Sequence, residues 1–139
     1  MSQDPGGSTV GDLMSPDPIV VWPDTSVTEV ADVLDRSGIS GVPVVDWNGY
    51  LVGVVSQTDL LRVRATEELW ADRSRLSARH IMSQPVLTVT VDTRIDEAAR
   101  LMESHHVHRL VVVDDDLAPI GVISESDLVR EIAEACDDC

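Results

Sequence analysis

The chain has 139 residues, 43% of them hydrophobic, but only three Trp, one Tyr and no Phe, so Val, Ile and Leu must fill one compact domain or two half-domains sharing a core. A formal charge of −15 repels phosphate backbones and anionic lipid, which argues against nucleic acid and membrane partners. All ten basic residues are Arg, and the absence of Lys removes the Walker-loop lysine, Schiff-base chemistry and a lysine general base.

Taken in chain order, residues 1–9 form a polar tail with no basic-then-apolar leader. No later apolar run reaches bilayer length, so the expectation is a soluble cytoplasmic protein. "PIVV", Pro18 to Val21, is a short β-rich run closed by the turn-formers Pro23-Asp24. Val27, Val30, Ala31 and Leu34 follow at helical spacing, and Ser26 stands three residues before Glu29 as a cap. "GVPVVD", Gly41 to Asp46, and "LVGVVS", Leu51 to Ser56, read as strands joined through the hairpin signal Asn48-Gly49. A helix is expected after Ser56, and the Arg, Glu and Ala-rich stretch from Arg64 to Arg79 reads as a helical connector.

The pattern then starts again. "PVLTV" (Pro85 to Val89), a helical stripe at Ile95, Ala98, Ala99 and Met102, "RLVVVD" (Arg109 to Asp114) and "PIGVIS" (Pro119 to Ser124) repeat the order of elements. Met14 returns as Met82, Asp24 as Asp92, Asp46 as Asp114, Gly53 as Gly121, Ser56 as Ser124 and Asp59 as Asp127, each 68 positions later and without a gap. A unit of that length with mixed pattern is a duplicated half-domain rather than a solenoid repeat. The expected layout is a tail at 1–9, a first copy at 10–64, a connector at 65–77, a second copy at 78–133 and an acidic tail at 134–139.

The most repeated words are "GVVSQTDLLR" and "GVISESDLVR". Ser56 with Asp59, and Ser124 with Asp127, have the spacing of a capping box at a strand-to-helix corner, which requires no ligand. An ionised Asp there is also acceptor-only and matches the paired hydroxyls of a ribose. Gly53 and Gly121 are then expected to let a ligand lie close to the backbone.

Together, "DLMS" and "HIMS", "GVPVVD" and "HRLVVVD", and the two G-x-x-S-x-x-D segments resemble a tandem of CBS domains, the cystathionine β-synthase type of regulatory module, over Val10 to Arg130. The resemblance implies an α/β fold of two β-α-β-β-α repeats packed sheet to sheet about a pseudo-twofold axis, with adenosyl ligands in the clefts between them. It also implies that Asp59 and Asp127 hold ribose hydroxyls, with Ser56 and Ser124 facing the ribose or first phosphate. The adenine pocket falls on Ile19, Val20, Val21, Val42 and Pro43, and in the second copy on Leu87, Thr88, Val89, Leu110 and Val111.

"VHRLVVVD" is similar to the phosphate-contacting stretch of the γ subunit of AMP-activated protein kinase, which makes His108 and Arg109 phosphate ligands. The bland alternative is that Arg109 pairs with an acid. The first copy has Ser40 and Gly41 at these positions, so two unequal sites are expected: the one built on Ser56 and Asp59 receives His108 and Arg109 and prefers AMP, ADP or ATP, and the one built on Ser124 and Asp127 faces Ser40 and Gly41 and is weaker, empty or open to an uncharged adenosyl group. The implied protein is a non-catalytic sensor, a homodimer signalling to an unidentified regulated partner, with adenine nucleotide as regulatory ligand and no required cofactor. The alternatives are an S-adenosylmethionine-binding module and a ligand-independent scaffold.

Three other features invite chemistry. His105, His106 and His108 suggest a metal, but a helix end followed by a strand sends the rings apart, and no metal site is expected. "CDDC" at Cys136 to Cys139 is half a zinc site or a frayed acidic tail, and "DDD" at Asp114 to Asp116 is a Mg²⁺ site or a solvated turn. No nucleophile and base stand in a recognisable order, so no enzyme is expected.

Overall fold

The computed structural model describes residues 8–136; the proposed terminal zinc half-site and most of the two proposed tails lie outside them. Two compact units emerge, one running from Ile19 to Val86 and the other combining the chain up to Pro18 with the chain from Leu87 onward. The leading segment of each sequence copy therefore sits in the unit built by the other copy.

In the Ile19–Val86 unit, helix α2 (Val27–Ser37) starts on the Ser26 hydroxyl, which accepts the Glu29 N–H at 3.1 Å, and ends on Gly38 in the left-handed region at φ 65°. Its predicted stripe is buried at Val27, Val30 and Leu34. Strands β2 (Gly41–Val45) and β3 (Leu51–Ser56) pair antiparallel, with Gly41 opposite Ser56. Asp46 makes the turn by accepting the Asn48 and Tyr50 N–H groups on Oδ1, while Gly49 takes φ 85°. "PIVV" does not form a full strand. Only Val21 pairs, as a parallel bridge to Val44, because prolines at positions 18 and 23 remove donors at either side.

The connector is helical in short pieces. Helix α3 (Gln57–Ala65) stops at Thr66, whose ψ of 114° is extended, before α4 (Glu67–Ala71), a 3₁₀ turn at Arg73–Arg75 and α5 (Ala78–Ile81). The guanidinium groups of Arg64 and Arg73 both lie over the Trp70 ring, at 4.5 and 4.0 Å from its centroid. The Val27 and Ala78 N–H groups donate to the Leu76 and Thr25 carbonyls, tying the connector to the start of α2. Ala78 and Ile81 complete the core formed by Val30, Leu34, Val42, Val44 and Val55.

The second unit repeats this plan with the other leading segment. Its elements are α1 (Val10–Leu13), β1 (Ser15–Pro16), β4 (Thr88–Val89), α6 (Ile95–His105), β5 (Arg109–Val113), β6 (Pro119–Ser124) and α7 (Glu125–Cys136). The sheet order is β1-β6-β5-β4, with β4 parallel to β5 and the other pairs antiparallel. Val10 is fully buried beside Val89, Ala98, Leu110, Val112 and Ile123. Its N–H donates to the Thr93 carbonyl at 2.8 Å, the counterpart of the 2.8 Å bond from Ala78 to Thr25 in the other unit. Where the first copy uses Gly38 and Gly49 at positive φ, the second uses His106 (φ 54°) and Leu117 (φ 64°).

The glycines of the repeated motif each admit a close neighbour. A β-carbon on Gly53 would stand 2.4 Å from the Met82 sulfur, and one on Gly121 would stand 2.5 Å from the Met14 sulfur. The missing side chains thus make room for the methionines of "HIMS" and "DLMS".

Candidate functional site

Each Ser–Asp pair sits where the last residue of a strand becomes the cap of a helix. Ser56 ends β3 and caps α3; its N–H and hydroxyl both donate to Asp59 Oδ2, at 2.8 and 3.1 Å, and the Asp59 N–H returns to the Ser56 hydroxyl at 3.4 Å. Ser124 and Asp127 reproduce the same three distances. The capping reading is therefore correct for both pairs. Both carboxylates are buried, with Asp59 2% and Asp127 7% exposed, which requires that their lone pairs be satisfied.

The two pairs differ at the other carboxylate oxygen. Asp127 Oδ1 takes the Arg130 guanidinium at 3.2 Å, whereas Asp59 Oδ1 takes Arg62 at 3.4 Å and the Ser83 hydroxyl at 3.1 Å. The trailing arginine of the repeated motif is thus the partner of its aspartate three residues back, one helical turn away. Ser83 is a residue that the sequence reading missed as a contact. The available signal was its place as the last letter of "HIMS", since the Met82 beside it is held under Gly53 and its backbone exchanges hydrogen bonds with Val54 at 2.8 and 3.2 Å. Oδ1 of Asp59 already accepts one alcohol and one cation, the donor types that a sugar hydroxyl or a bound cation would bring.

The stretches expected to form the adenine pocket lie beside one another within each unit. Val21 donates its N–H to the Pro43 carbonyl at 3.0 Å, which joins the stretch Ile19, Val20 and Val21 to Val42 and Pro43. Val21, Val42 and Pro43 are buried, while Ile19 is exposed. In the second copy Thr88 lies opposite Val111 and Val89 opposite Val112, bringing Leu87, Thr88 and Val89 beside Leu110 and Val111 on neighbouring strands.

Arg109 lies opposite Ser124 across β5 and β6, just as Gly41 lies opposite Ser56. His108 precedes it on the exposed rim, with Nδ1 3.1 Å from the Glu125 carboxylate, and the Glu125 N–H donates to the His108 carbonyl at 2.9 Å. Burial pushes the Arg109 guanidinium below its ordinary range, and the Glu125 carboxylate pulls it back up. An arginine keeps its charge under such a shift, so Arg109 brings positive charge to a corner whose first-copy counterpart, Ser40 and Gly41, has none.

Among the described residues, no group of three or more His, Cys, Asp or Glu is placed to hold a metal ion. His106 serves instead as the left-handed end of α6, its N–H reaching the Met102 and Glu103 carbonyls. Asp114 spends Oδ1 on the N–H groups of Asp116 and Ala118, so "DDD" forms a turn of the Asp46 type. Among the described residues, no helix is long and apolar enough to cross a membrane.

The sequence pattern of the CBS domain matches this chain twice, at residues 10–66 and 78–134. The CBS domain-containing protein CBSX2, chloroplastic, of Arabidopsis thaliana is 33% identical, over 90% of this chain and 63% of its own length. An inosine-5'-monophosphate dehydrogenase of Methanocaldococcus jannaschii is 35% identical over 82% of this chain, which spans only 21% of that enzyme. The crystal structure of CBSX2 in complex with AMP matches with a TM-score of 0.81 at 36% identity, covering 92% of this chain and 98% of that one. The CBS domain pair of protein MJ0100, in complex with 5'-methylthioadenosine and S-adenosyl-L-methionine, matches at 0.83 and 27% identity, covering 91% and 97%. The duplicated strand-to-helix corners, the methionines held under Gly53 and Gly121 and the two matched segments together identify the chain as a tandem pair belonging to the CBS-domain family.

Proposed function

We propose that the chain is a non-catalytic regulatory module that binds an adenine nucleotide and transmits its presence to another protein. The reading rests first on the two buried Ser–Asp corners, repeated to a tenth of an ångström at a fixed offset, in a chain similar to a protein crystallised with AMP. Asp59 and Asp127 take ribose hydroxyls, Ser56 and Ser124 flank the ribose, and His108 and Arg109 meet phosphate. The adenine rests on the backbone at Ile19 to Val21 and Val42-Pro43, and at Leu87 to Val89 and Leu110-Val111. A diol at Asp59 replaces the Ser83 hydroxyl on Oδ1, so binding exchanges one donor for another and leaves no buried carboxylate unpaired.

A second ligand class follows from the uncharged pair Ser40 and Gly41, which suits an adenosyl group without phosphates, the chemistry found in the MJ0100 complex. A homodimer is supported by Leu61 on α3 and Val129 on α7. These equivalent positions are 68% and 63% exposed, and such aliphatic surface is costly to leave in water. Beside Leu61, a groove of about 510 Å³ runs between α2 and α3, lined by Ala31, Leu34, Ile39 and Leu60. The setting is the cytoplasm, where AMP, ADP and ATP levels carry information about energy supply.

Isothermal titration with AMP, ADP, ATP and S-adenosylmethionine tests the reading, beside Arg109→Ala and the ligand-free circular dichroism of each variant. Saturable binding of a phosphorylated ligand, weakened by Arg109→Ala while the spectrum is unchanged, supports a nucleotide sensor. Binding of S-adenosylmethionine alone moves the assignment to the second class. No heat from any ligand by a folded protein leaves the ligand-independent scaffold.

A further inference from the structure

An exposed aromatic groove in the Ile19–Val86 unit belongs to neither Ser–Asp corner. Trp22, after the Val21 bridge, and Trp47, in the β2–β3 turn, stack with ring centroids 6.3 Å apart and planes 24° from parallel. Trp47 is 91% exposed and Trp22 48% exposed, so neither indole is needed to fill the core. Val52 and Met82 supply an apolar floor to a groove of about 890 Å³, and Asp24, Glu29 and Asp46 line its sides. Among the lining residues Arg79 is the one cation, and it is already engaged in an ion pair with Asp24.

The second copy provides an internal control. The positions equivalent to Trp22 and Trp47 are Thr90 and Asp115, yet the backbone there is the same. The Thr90 N–H donates to the Thr93 hydroxyl at 3.1 Å as the Trp22 N–H does to Thr25 at 2.9 Å, and Asp114 makes its turn as Asp46 does. The fold thus builds both turns without tryptophan. Two exposed indoles in a chain with three in total, set side by side over an apolar floor, need another reason to be there.

Charge complementarity says what covers them. Indole faces attract cations, most favourably when carboxylates nearby share the charge, and an arginine or lysine also lays its aliphatic stem along an apolar floor. An acidic or phosphorylated segment is repelled by the same rim and by the −15 charge of the chain. Trp and Arg are also the residues that most often anchor protein interfaces. We infer that the Trp22–Trp47 groove is the docking site for a basic segment of a partner protein, one carrying an arginine beside an aliphatic residue, and that it stands whether or not the chain binds a nucleotide.

The probe is the capped peptide Ac-Gly-Leu-Arg-Ile-Arg-Gly-NH2, titrated into the full chain by calorimetry and amide NMR, beside its citrulline analogue. The variant exchanges the indoles for their second-copy counterparts, Trp22→Thr with Trp47→Asp, residues this backbone already carries. Expected are saturable binding, shifts confined to residues 22–29, 46–52 and 79–82, and affinity at least about tenfold lower both for the citrulline peptide and for the variant. No saturation by about 1 mM peptide overturns the assignment, as does equal affinity in the variant or shifts spread over the acidic surface. Sedimentation of both proteins tests the other occupant. A change of oligomeric state in the variant would give the groove to a second copy of this chain and also overturn the proposal.

Discussion

The Met82 sulfur lies so close to the α-carbon of Gly53 that a β-carbon there would stand 2.4 Å away, with the Met82 Cγ at 2.8 Å. The second unit repeats the relationship between Met14 and Gly121, with the Ser15 carbonyl 3.0 Å from the same point. Gly53→Ala and Gly121→Ala are each expected to destabilise by about 1–3 kcal/mol, the usual result of overpacking a formed core. Because the Ser15 oxygen is backbone and cannot swing aside, Gly121→Ala should be the costlier of the two. Urea titrations of the two single variants, together with a Gly53→Ala/Met82→Ala cycle, check this. The coupling in the cycle should be favourable, since the truncated methionine returns the space.

The two copies differ at their left-handed positions. His106 and Leu117 adopt φ 54° and 64° where the first copy has Gly38 and Gly49. A side chain in this region crowds the following carbonyl, and glycine relieves that at some cost in unfolded-state entropy. His106→Gly and Leu117→Gly are each expected to stabilise by about 0.5–1 kcal/mol and to add in combination, whereas Gly38→Ala and Gly49→Ala destabilise. Thermal melts read this as a higher Tm for the first pair and a lower Tm for the second.

Asp59 and Asp127 make the same cap, but Asp59 also holds the Ser83 hydroxyl. Without ligand, Asp59→Ala is expected to cost about 1–3 kcal/mol and more than Asp127→Ala, because it leaves a further donor without an acceptor. The gap should close when both are measured on a Ser83→Ala background. Equal costs in the presence of Ser83 would deny that hydrogen bond an energetic role.

Asp96, in the first turn of α6, lies 3.4 Å from Arg94 and 3.6 Å from Arg100. Desolvation works to raise its pKa, but the Arg94 and Arg100 charges, together with the backbone N–H groups of Glu97 and Asp96, outweigh it and hold the carboxyl below its ordinary value. A depressed carboxylate contributes stability above its unfolded pKa and loses it as pH falls through the folded value. Asp96→Asn should therefore lower Tm at neutral pH and low salt, with the difference shrinking toward acid. As the group is exposed, about 1 M NaCl should shrink it as well.

Much of this arrangement was legible in the sequence. The 3.6-residue stripe from Val27 to Leu34, the strands at Gly41–Val45 and Leu51–Ser56 and the capping pairs formed as their spacing implied, because each is decided by neighbours a few residues away. The exchange of leading segments was not, since β1 has two residues, carries no periodicity and pairs with β6 more than a hundred positions later. The roles of Gly53 and Gly121 were hidden for the same reason. A glycine records that something lies close, and only the distant methionine says what.

That exchange has a consequence for how such a chain can be cut. A first copy excised on its own would keep Val10, a plug for a cavity it does not own, and would lose Ala78 and Ile81, the stopper for its own. Two identical single copies would solve the problem by lending each other their leading strands, as domain-swapped partners do. Joining them in one gene makes that loan intramolecular and independent of dilution. The single-copy piece that keeps a core whole is instead the shifted one, Ile19 to Val86, which includes Ala78 and Ile81 and leaves Val10 behind.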